Sequence, residues 1–180
     1  MGTVKSDNIS VSFDGKKCIH ARRCVLGLPG VFNPGAKGQW IFPEHADPSE
    51  IARLVRDCPS GALTYEMKDG TDVEELPKVN SARLWENGPV EYRGDVRIDG
   101  QEPRIRAVIC RCGQSKNKPF CDNSHLDAEF EATSDVSAKD DAATLEARDG
   151  ELSLKPIKDG PLMVSGNLEI IAGSGRKITT

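Results

Sequence analysis

Between residues 110 and 125 the chain reads CRCGQSKNKPFCDNSH, three cysteines and a histidine within one short stretch. No other segment constrains the fold as strongly, because soft donors packed this tightly must share one environment. The spacing is C-x-C-x8-C-x3-H. In an extended strand Cys110 and Cys112 point to the same face, since alternate residues do. Gly113 and Pro119 mark the bends of a loop that returns Cys121, and a short helical turn then brings His125 to the same side. Asp122 is placed to cap that turn by accepting backbone N–H groups. Three thiolates and one imidazole suit either a structural zinc ion or an iron–sulfur cluster. Unliganded thiols would leave their convergence unexplained. The one-residue gap is tighter than the two to four residues between paired zinc cysteines, which favours a cluster.

The same residues resemble the CDGSH iron–sulfur family, the mitoNEET type, with its pattern C-x-C-x2-S/T-x3-P-x-C-D-G-S/T/A-H. Cys110, Cys112, Ser115, Pro119, Cys121, Asp122, Ser124 and His125 all match. Asn123 departs from the family's glycine, and Asn is the side chain that best tolerates positive φ. The resemblance implies a 2Fe–2S cluster with Cys110 and Cys112 on one iron, Cys121 and His125 on the other. A neutral imidazole in place of a fourth thiolate raises the potential, as in Rieske centres. It also titrates near neutrality, so reduction can couple to proton uptake and acid can loosen that corner. Family members are dimers whose strands build a shared β-cap.

Cys18, Cys24 and Cys58 form a second set. Residues 47–58 carry the signals of a helix: Asp47 at the N-cap, Pro48 at the first position and Glu50 at the third, as in a capping box. Ile51, Leu54, Val55 and Cys58 then recur at i, i+3, i+4 and i+7, so Cys58 sits at the inner end of a buried stripe before Pro59 stops the helix. Bacterial ferredoxins combine C-x2-C-x2-C with a distant Cys-Pro. Laid on that pattern, Cys18 and Cys24 match the outer ligands and Ala21 falls at the middle one. The closest resemblance is to the divergent monocluster ferredoxin domains, where C-x-H-x3-C and CPSGAL recur, and it spans about residues 8–66. Three thiolates suit a 3Fe–4S cluster, while His20 is the candidate that would complete a 4Fe–4S site. Small buried cysteines without metal are the alternative. His45 reads as structural.

The expected fold class is α+β. A small ferredoxin-like N-terminal domain (residues 1–66) and a polar linker (67–80) lead to a mostly β CDGSH domain with a β-cap (81–180). Ile9, Val11 and Phe13 alternate as in a strand, and the Asp149-Gly150 pair signals a hairpin. An internal echo relates GPVEYRGDVRI (88–98) to GPLMVSGNLEI (160–170). It implies a degenerate second half at about 150–180 that has the strands but not the ligands, so the chain is either a monomer with an internal pseudo-dimer or a homodimer.

Hydrophobic residues make up 37% of the 180 and aromatics 5%. That is a thin core for two domains, and small domains short of core are commonly stapled by metals. No apolar run is long enough to span a bilayer. No secretory leader is visible, so a cytoplasmic protein whose cysteines hold metal is expected. A net charge of −4 gives no electrostatic footprint for nucleic acid. No Ser-His-Asp set, nucleotide loop or flavin fingerprint is present, and GSGRK near the C-terminus reads as a turn. Arg104, Arg106, Arg111, Lys116 and Lys118 suggest a basic collar around the Cys/His segment. The function expected is non-enzymatic single-electron transfer with redox partner proteins. Storage of a labile cluster for apo iron–sulfur acceptors, redox or pH sensing, and a zinc-stapled interaction module are the alternatives.

Overall fold

A computed structural model describes residues 1–136, 144–175 and 177–179. They fall into two compact units, Met1–Glu75 and Leu76–Thr180, mostly β with few helices.

The first unit begins with β1 (Gly2–Lys5), an edge strand that the sequence pattern does not announce. It pairs antiparallel with β2 (Ile9–Phe13), where the expected alternation buries Ile9 and Val11 completely. Then come α1 (Arg23–Gly27) and α2 (Pro48–Arg56). β3 (Leu63–Met67) completes a three-stranded sheet by lying antiparallel to β2, with Phe13 opposite Leu63. On α2, Ile51, Ala52, Leu54 and Val55 are buried, and they pack with Ile9, Val11, Phe32 and Leu63. The helix stops at Arg56, earlier than the stripe through Cys58 suggests. Cys58 sits in the turn beyond it, its N–H donating to the Val55 carbonyl at 3.0 Å, and Pro59 follows.

The Asp47 carboxylate caps α2, accepting from the Ser49 N–H at 2.8 Å and the Ser49 hydroxyl at 2.6 Å. Those bonds, the hydroxyl first, hold its pKa below the ordinary carboxylate value. A depressed folded pKa contributes stability above the unfolded value that fades as pH falls through the carboxylate range. Asp47→Ala should therefore lower the urea midpoint at pH 7, and the gap from wild type should narrow as pH falls through the carboxylate range. Equal midpoints at pH 7 would show the cap to be idle.

The second unit holds β4 (Ser81–Leu84), β5 (Val90–Ile98), β6 (Arg104–Ile109), the short α3 (Ser124–Asp127), β7 (Leu152–Pro156), β8 (Leu162–Ser165), β9 (Glu169–Ile171) and β10 (Lys177–Thr179). The seven strands form one sheet in the order β10-β9-β4-β5-β7-β8, and β6 pairs with β5. The two copies of the echo occupy matching places. The first half of β5 runs antiparallel to β4, with Ala82 opposite Tyr92; its second half runs parallel to β7, with Ile98 opposite Leu154. Likewise β8 runs antiparallel to β7, with Leu154 opposite Val164, and β9 runs parallel to β4, with Ala82 opposite Ile170. The copies start at residues 88 and 160, an offset of 72, and that offset converts each pairing into its counterpart. The parallel pairings cross over, so each half lends its last strand to the other.

Both copies bend at their central glycine, Gly94 at φ 150° and Gly166 at φ 119°. β5 passes the bend with a register shift between Arg93 and Val96, while the second copy breaks into β8 and β9. Asn80, fully buried, sits at the crossing. Its Oδ1 accepts from the Asp95 N–H at 3.1 Å, and its Nδ2 donates to the carbonyls of Gly150 (3.3 Å) and Asn167 (3.1 Å). Its own carbonyl accepts from the Glu169 N–H at 2.9 Å. The Asp149-Gly150 pair does not close a hairpin. It precedes β7, whose hairpin partner is β8 across residues 157–161. Gly173 and Ser174 do form a turn between β9 and β10, while Arg176 of that motif lies outside the described residues.

Candidate metal centres

In the second unit β6 ends at Ile109, so Cys110 and Cys112 occupy a bend rather than the extended strand their spacing suggests. Their sulfurs still approach to 3.6 Å. The return loop is tied at both ends: the Cys110 N–H donates to the Pro119 carbonyl at 2.8 Å, and the Cys121 N–H to the Val108 carbonyl at 2.9 Å. Within it the Ser115 hydroxyl donates to the Phe120 carbonyl at 2.6 Å and accepts from the Asn117 N–H at 3.0 Å. Asp122 caps the next turn as expected, accepting from the N–H groups of Ser124 (3.0 Å) and Lys116 (2.8 Å). Bonding to Ser124 leads in holding its carboxyl down at about 2.

Asn123 takes the left-handed conformation at φ 72°, the place of glycine in the resembling family. Its N–H donates to the Cys121 sulfur at 3.4 Å, and the Gln114 N–H does the same for Cys112 at 3.4 Å. His125 lies in the first turn of α3 with Nδ1 3.7 Å from the Cys121 sulfur. Its Nε2 faces Gly88, where a Cβ would lie 3.7 Å away. Burial lowers the ring's pKa, opposed by the charge of Asp122. Burial raises the thiol pKa of Cys121, and the neighbouring Cys110 and Cys112 add to the effect. Metal-free, these sulfurs resist ionising together; a cation among them removes that penalty.

Arg111, between the paired cysteines, belongs to no collar. Its guanidinium donates to four backbone carbonyls: Gly88 and Trp85 at 2.8 Å each, Ala132 at 2.9 Å and Thr133 at 3.0 Å. It therefore ties the 85–88 turn beside His125 to the strap at 130–134 that follows α3. Glu86 fastens the same strap, accepting from both the N–H and the hydroxyl of Ser134. Arg106 is buried, and Arg104 lies 4.5 Å from the Phe120 ring. Only Lys116 and Lys118 of the five expected collar cations are exposed. A lysine cannot reach four carbonyls at once. Arg111→Lys should cost about 1–2 kcal/mol, seen as a lower denaturation midpoint; an unchanged midpoint would mean the clamp is slack. Nothing in the local sequence announces this role, since an arginine between two ligands reads first as charge.

In the first unit Cys18, Cys24 and Cys58 line one cavity of about 590 Å³, together with His20, Ala21, Phe13 and Trp40. His20 (φ 51°) and Arg22 (φ 61°) both take left-handed conformations. That coils the 18–23 loop tightly enough to turn Cys18 and Cys24, the latter on α1, toward the same space. The His20 N–H donates to the Cys18 sulfur at 3.4 Å. Phe13 and Trp40 meet edge to face, centroids 4.8 Å apart. Burial raises the thiol pKa values of Cys18 and Cys24, and Cys58 raises both further. His45 is structural as expected: Nδ1 lies 3.0 Å from the Gly30 carbonyl oxygen and the ring stacks on Phe42.

None of the six cysteines is in a disulfide. Among the described residues no group of three His, Cys, Asp or Glu side chains is gathered around a single ion. No helix among them is long and apolar enough to cross a membrane.

Residues 4–68 match the family described as a divergent 4Fe-4S mono-cluster, and residues 87–126 match the CDGSH-type iron-binding zinc finger. Among curated proteins, the chain is 37% identical over 62 residues to the uncharacterized protein YjdI of Escherichia coli strain K12, and equally to that of strain O157:H7. The match covers 34% of this chain and 80% of the relative. No solved structure matches significantly. With four-fifths of that relative's length matched, the chain belongs to the divergent 4Fe-4S mono-cluster family, and it joins to that iron–sulfur domain a second, iron-binding domain of CDGSH type.

Proposed function

We propose that this chain is a non-enzymatic carrier of single electrons that uses two iron–sulfur clusters. Cys110 and Cys112 would hold one iron of a 2Fe–2S cluster, Cys121 and His125 the other. Cys18, Cys24 and Cys58 would hold a 3Fe–4S cluster, or a 4Fe–4S cluster with His20 as the fourth ligand, in a ferredoxin-like role. The observation that carries this reading is that the donors come in two close pairs, Cys110 with Cys112 and Cys121 with His125, within the segment that matches the CDGSH-type iron-binding family. Two ligands on one tetrahedral ion with bonds of about 2.0–2.3 Å sit about 3.6–3.8 Å apart. The Cys110–Cys112 and Cys121–His125 separations of 3.6 and 3.7 Å suit two ions with two protein ligands each. A structural zinc site needs four donors on one ion. The three N-terminal thiols share one cavity, within the segment that matches the divergent 4Fe-4S mono-cluster family, and suit the irons of a larger cluster. N–H donors on Cys18, Cys112 and Cys121 are of the kind that tunes cluster potentials.

Metal and sulfide counts test the reading. The two clusters require about five irons and about six acid-labile sulfides per chain with 3Fe–4S, or about six of each with 4Fe–4S. Low-temperature paramagnetic resonance of oxidised and dithionite-reduced protein should give two distinct signals. A colourless folded preparation holding zinc alone would end the proposal.

A second reading is favoured by the setting of His125, on a helix of four residues followed by the exposed Leu126. A corner so lightly held suits donation of the cluster to apo-acceptors. Transfer of the 2Fe–2S colour to an apo-ferredoxin would favour donation over relay. The matching registers at an offset of 72 support an assembly in which one chain supplies both halves of the cap. Light scattering should then give the 19.5 kDa monomer; a dimer would reject it.

A further inference from the structure

The electron-carrier reading leaves open where a partner engages, and the expected collar around residues 104–118 does not supply the place. The charge lies elsewhere. From Gly15 to Pro43 the chain has Lys16, Lys17, Arg22, Arg23 and Lys37 and no carboxylate. The rest of the first unit, residues 1–14 and 44–75, has four cations against eleven carboxylates. One contiguous segment therefore carries +5 and its surroundings −7.

That segment provides most of the lining of the three-cysteine cavity. Arg22 and Arg23 line it, Lys37 sits between the lining residues Ala36 and Gly38, and Lys16 and Lys17 lead into Cys18. No Asp or Glu lines the cavity. Lys16, Lys17, Arg22 and Lys37 are exposed. Lys17 pairs with Asp14 at 3.5 Å and Arg23 donates to the Asp57 backbone carbonyl, so the exposed Lys16, Arg22 and Lys37 are the cations that matter at the mouth. A cationic rim around an acid-free cavity, on a chain of net −4, is the surface by which an acidic partner is steered and oriented.

We propose that the mouth of the Cys18–Cys24–Cys58 cavity is the docking face for an acidic redox protein, drawn in by Lys16, Arg22 and Lys37. Net positive charge at this mouth also favours electron exchange with anionic reagents over cationic ones. The redox half of the inference rests on a cluster being held by Cys18, Cys24 and Cys58; the binding half does not.

The test compares full-length wild type with Lys16→Glu/Arg22→Glu/Lys37→Glu and with a control of equal charge change, Lys5→Glu/Arg53→Glu/Lys68→Glu. All six positions are exposed. The binding probe is poly-L-glutamate in 20 mM salt. Wild type and control should bind, and the mouth variant should lose at least tenfold in affinity. In the kinetic arm, dithionite-reduced protein gives one electron to ferricyanide, forming ferrocyanide, or one to hexaamminecobalt(III), forming cobalt(II). The mouth variant should slow the ferricyanide reaction about tenfold and not slow the cobalt one, with the difference gone at 0.5 M salt, where screening reaches only about 4 Å. Equal effects in both variants, or no binding of poly-L-glutamate by wild type, would overturn the docking face. Tighter binding of a duplex oligonucleotide than of poly-L-glutamate at 150 mM salt would overturn it in favour of nucleic acid. Cluster-free wild type that still binds poly-L-glutamate through the mouth would instead retire the electron-carrier reading and leave the surface standing.

Discussion

Gly94→Ala should unfold the second unit while leaving the first intact. A methyl at Gly94 would fall well inside contact distance of Asn80 Oδ1 and 2.8 Å from Asn80 Cγ. Neither side can yield at low cost. Gly94 sits at φ 150°, where a Cβ is strained in any case. Asn80 can move only by abandoning its bonds to Asp95, Gly150 and Asn167. Each buried group left unpaired costs about 1–3 kcal/mol, so the total is on the order of 4 kcal/mol or more. That is a large share of the roughly 5–15 kcal/mol that holds a domain together. The two tryptophans give separate reports, Trp40 from the first unit and Trp85 from the second. In urea the second unit's transition should move close to zero denaturant, with the first unchanged. A single transition at the wild-type midpoint would mean that the crossing is not where the sheet is held.

Replacing His125 by Cys should lower the potential of the C-terminal cluster by on the order of 100–200 mV, since a fourth thiolate adds negative charge where a neutral ring stood. The same change should flatten the cluster's acid sensitivity. Folding lowers the pKa of His125, so the folded state favours the neutral ring. A group that binds protons less readily folded than unfolded contributes stability above the unfolded pKa and loses it as pH falls. Metal ligation requires the same neutral ring, so both effects run in one direction. Wild-type absorbance should be stable at pH 8 and decay progressively below about pH 6.5, while the His125→Cys variant should decay much less steeply. Parallel decay of the two proteins would remove His125 as the release point. Potentiometry at pH 8 reads the first effect free of the second.

The ligand loop was the most legible part of the chain because its donors are local. Three cysteines, Asp122, Asn123 and His125 lie within one turn-rich segment, and turn chemistry is written in nearest neighbours. The helix signalled from Asp47 was equally plain, since its cap and its buried stripe are both short-range. What escaped was non-local. β1 offers only Val4 as a branched apolar residue, and its place depends on pairing with β2. Asp149-Gly150 looks like a hairpin turn, but the alternation around it does not decide which strand β7 meets. Arg111 and Asn80 act through carbonyls twenty to ninety residues away, and a backbone acceptor leaves no mark on the sequence. The basic collar failed for the same reason: charges near in sequence were committed to carbonyls, an aromatic ring and the core. The echo sits between the two cases. Eleven residues revealed a repeat, but not that each copy completes the other.

That exchange has a consequence for the nascent chain. As it leaves the ribosome, β4 and β5 emerge first, and their parallel neighbours β9 and β7 follow only after residue 151. Until then the outer edge of β4 and the far half of β5 present open backbone, the setting in which strands pair with the wrong molecule. His125 has by then already been made, so the ligand loop is finished while the sheet that supports it is still half built.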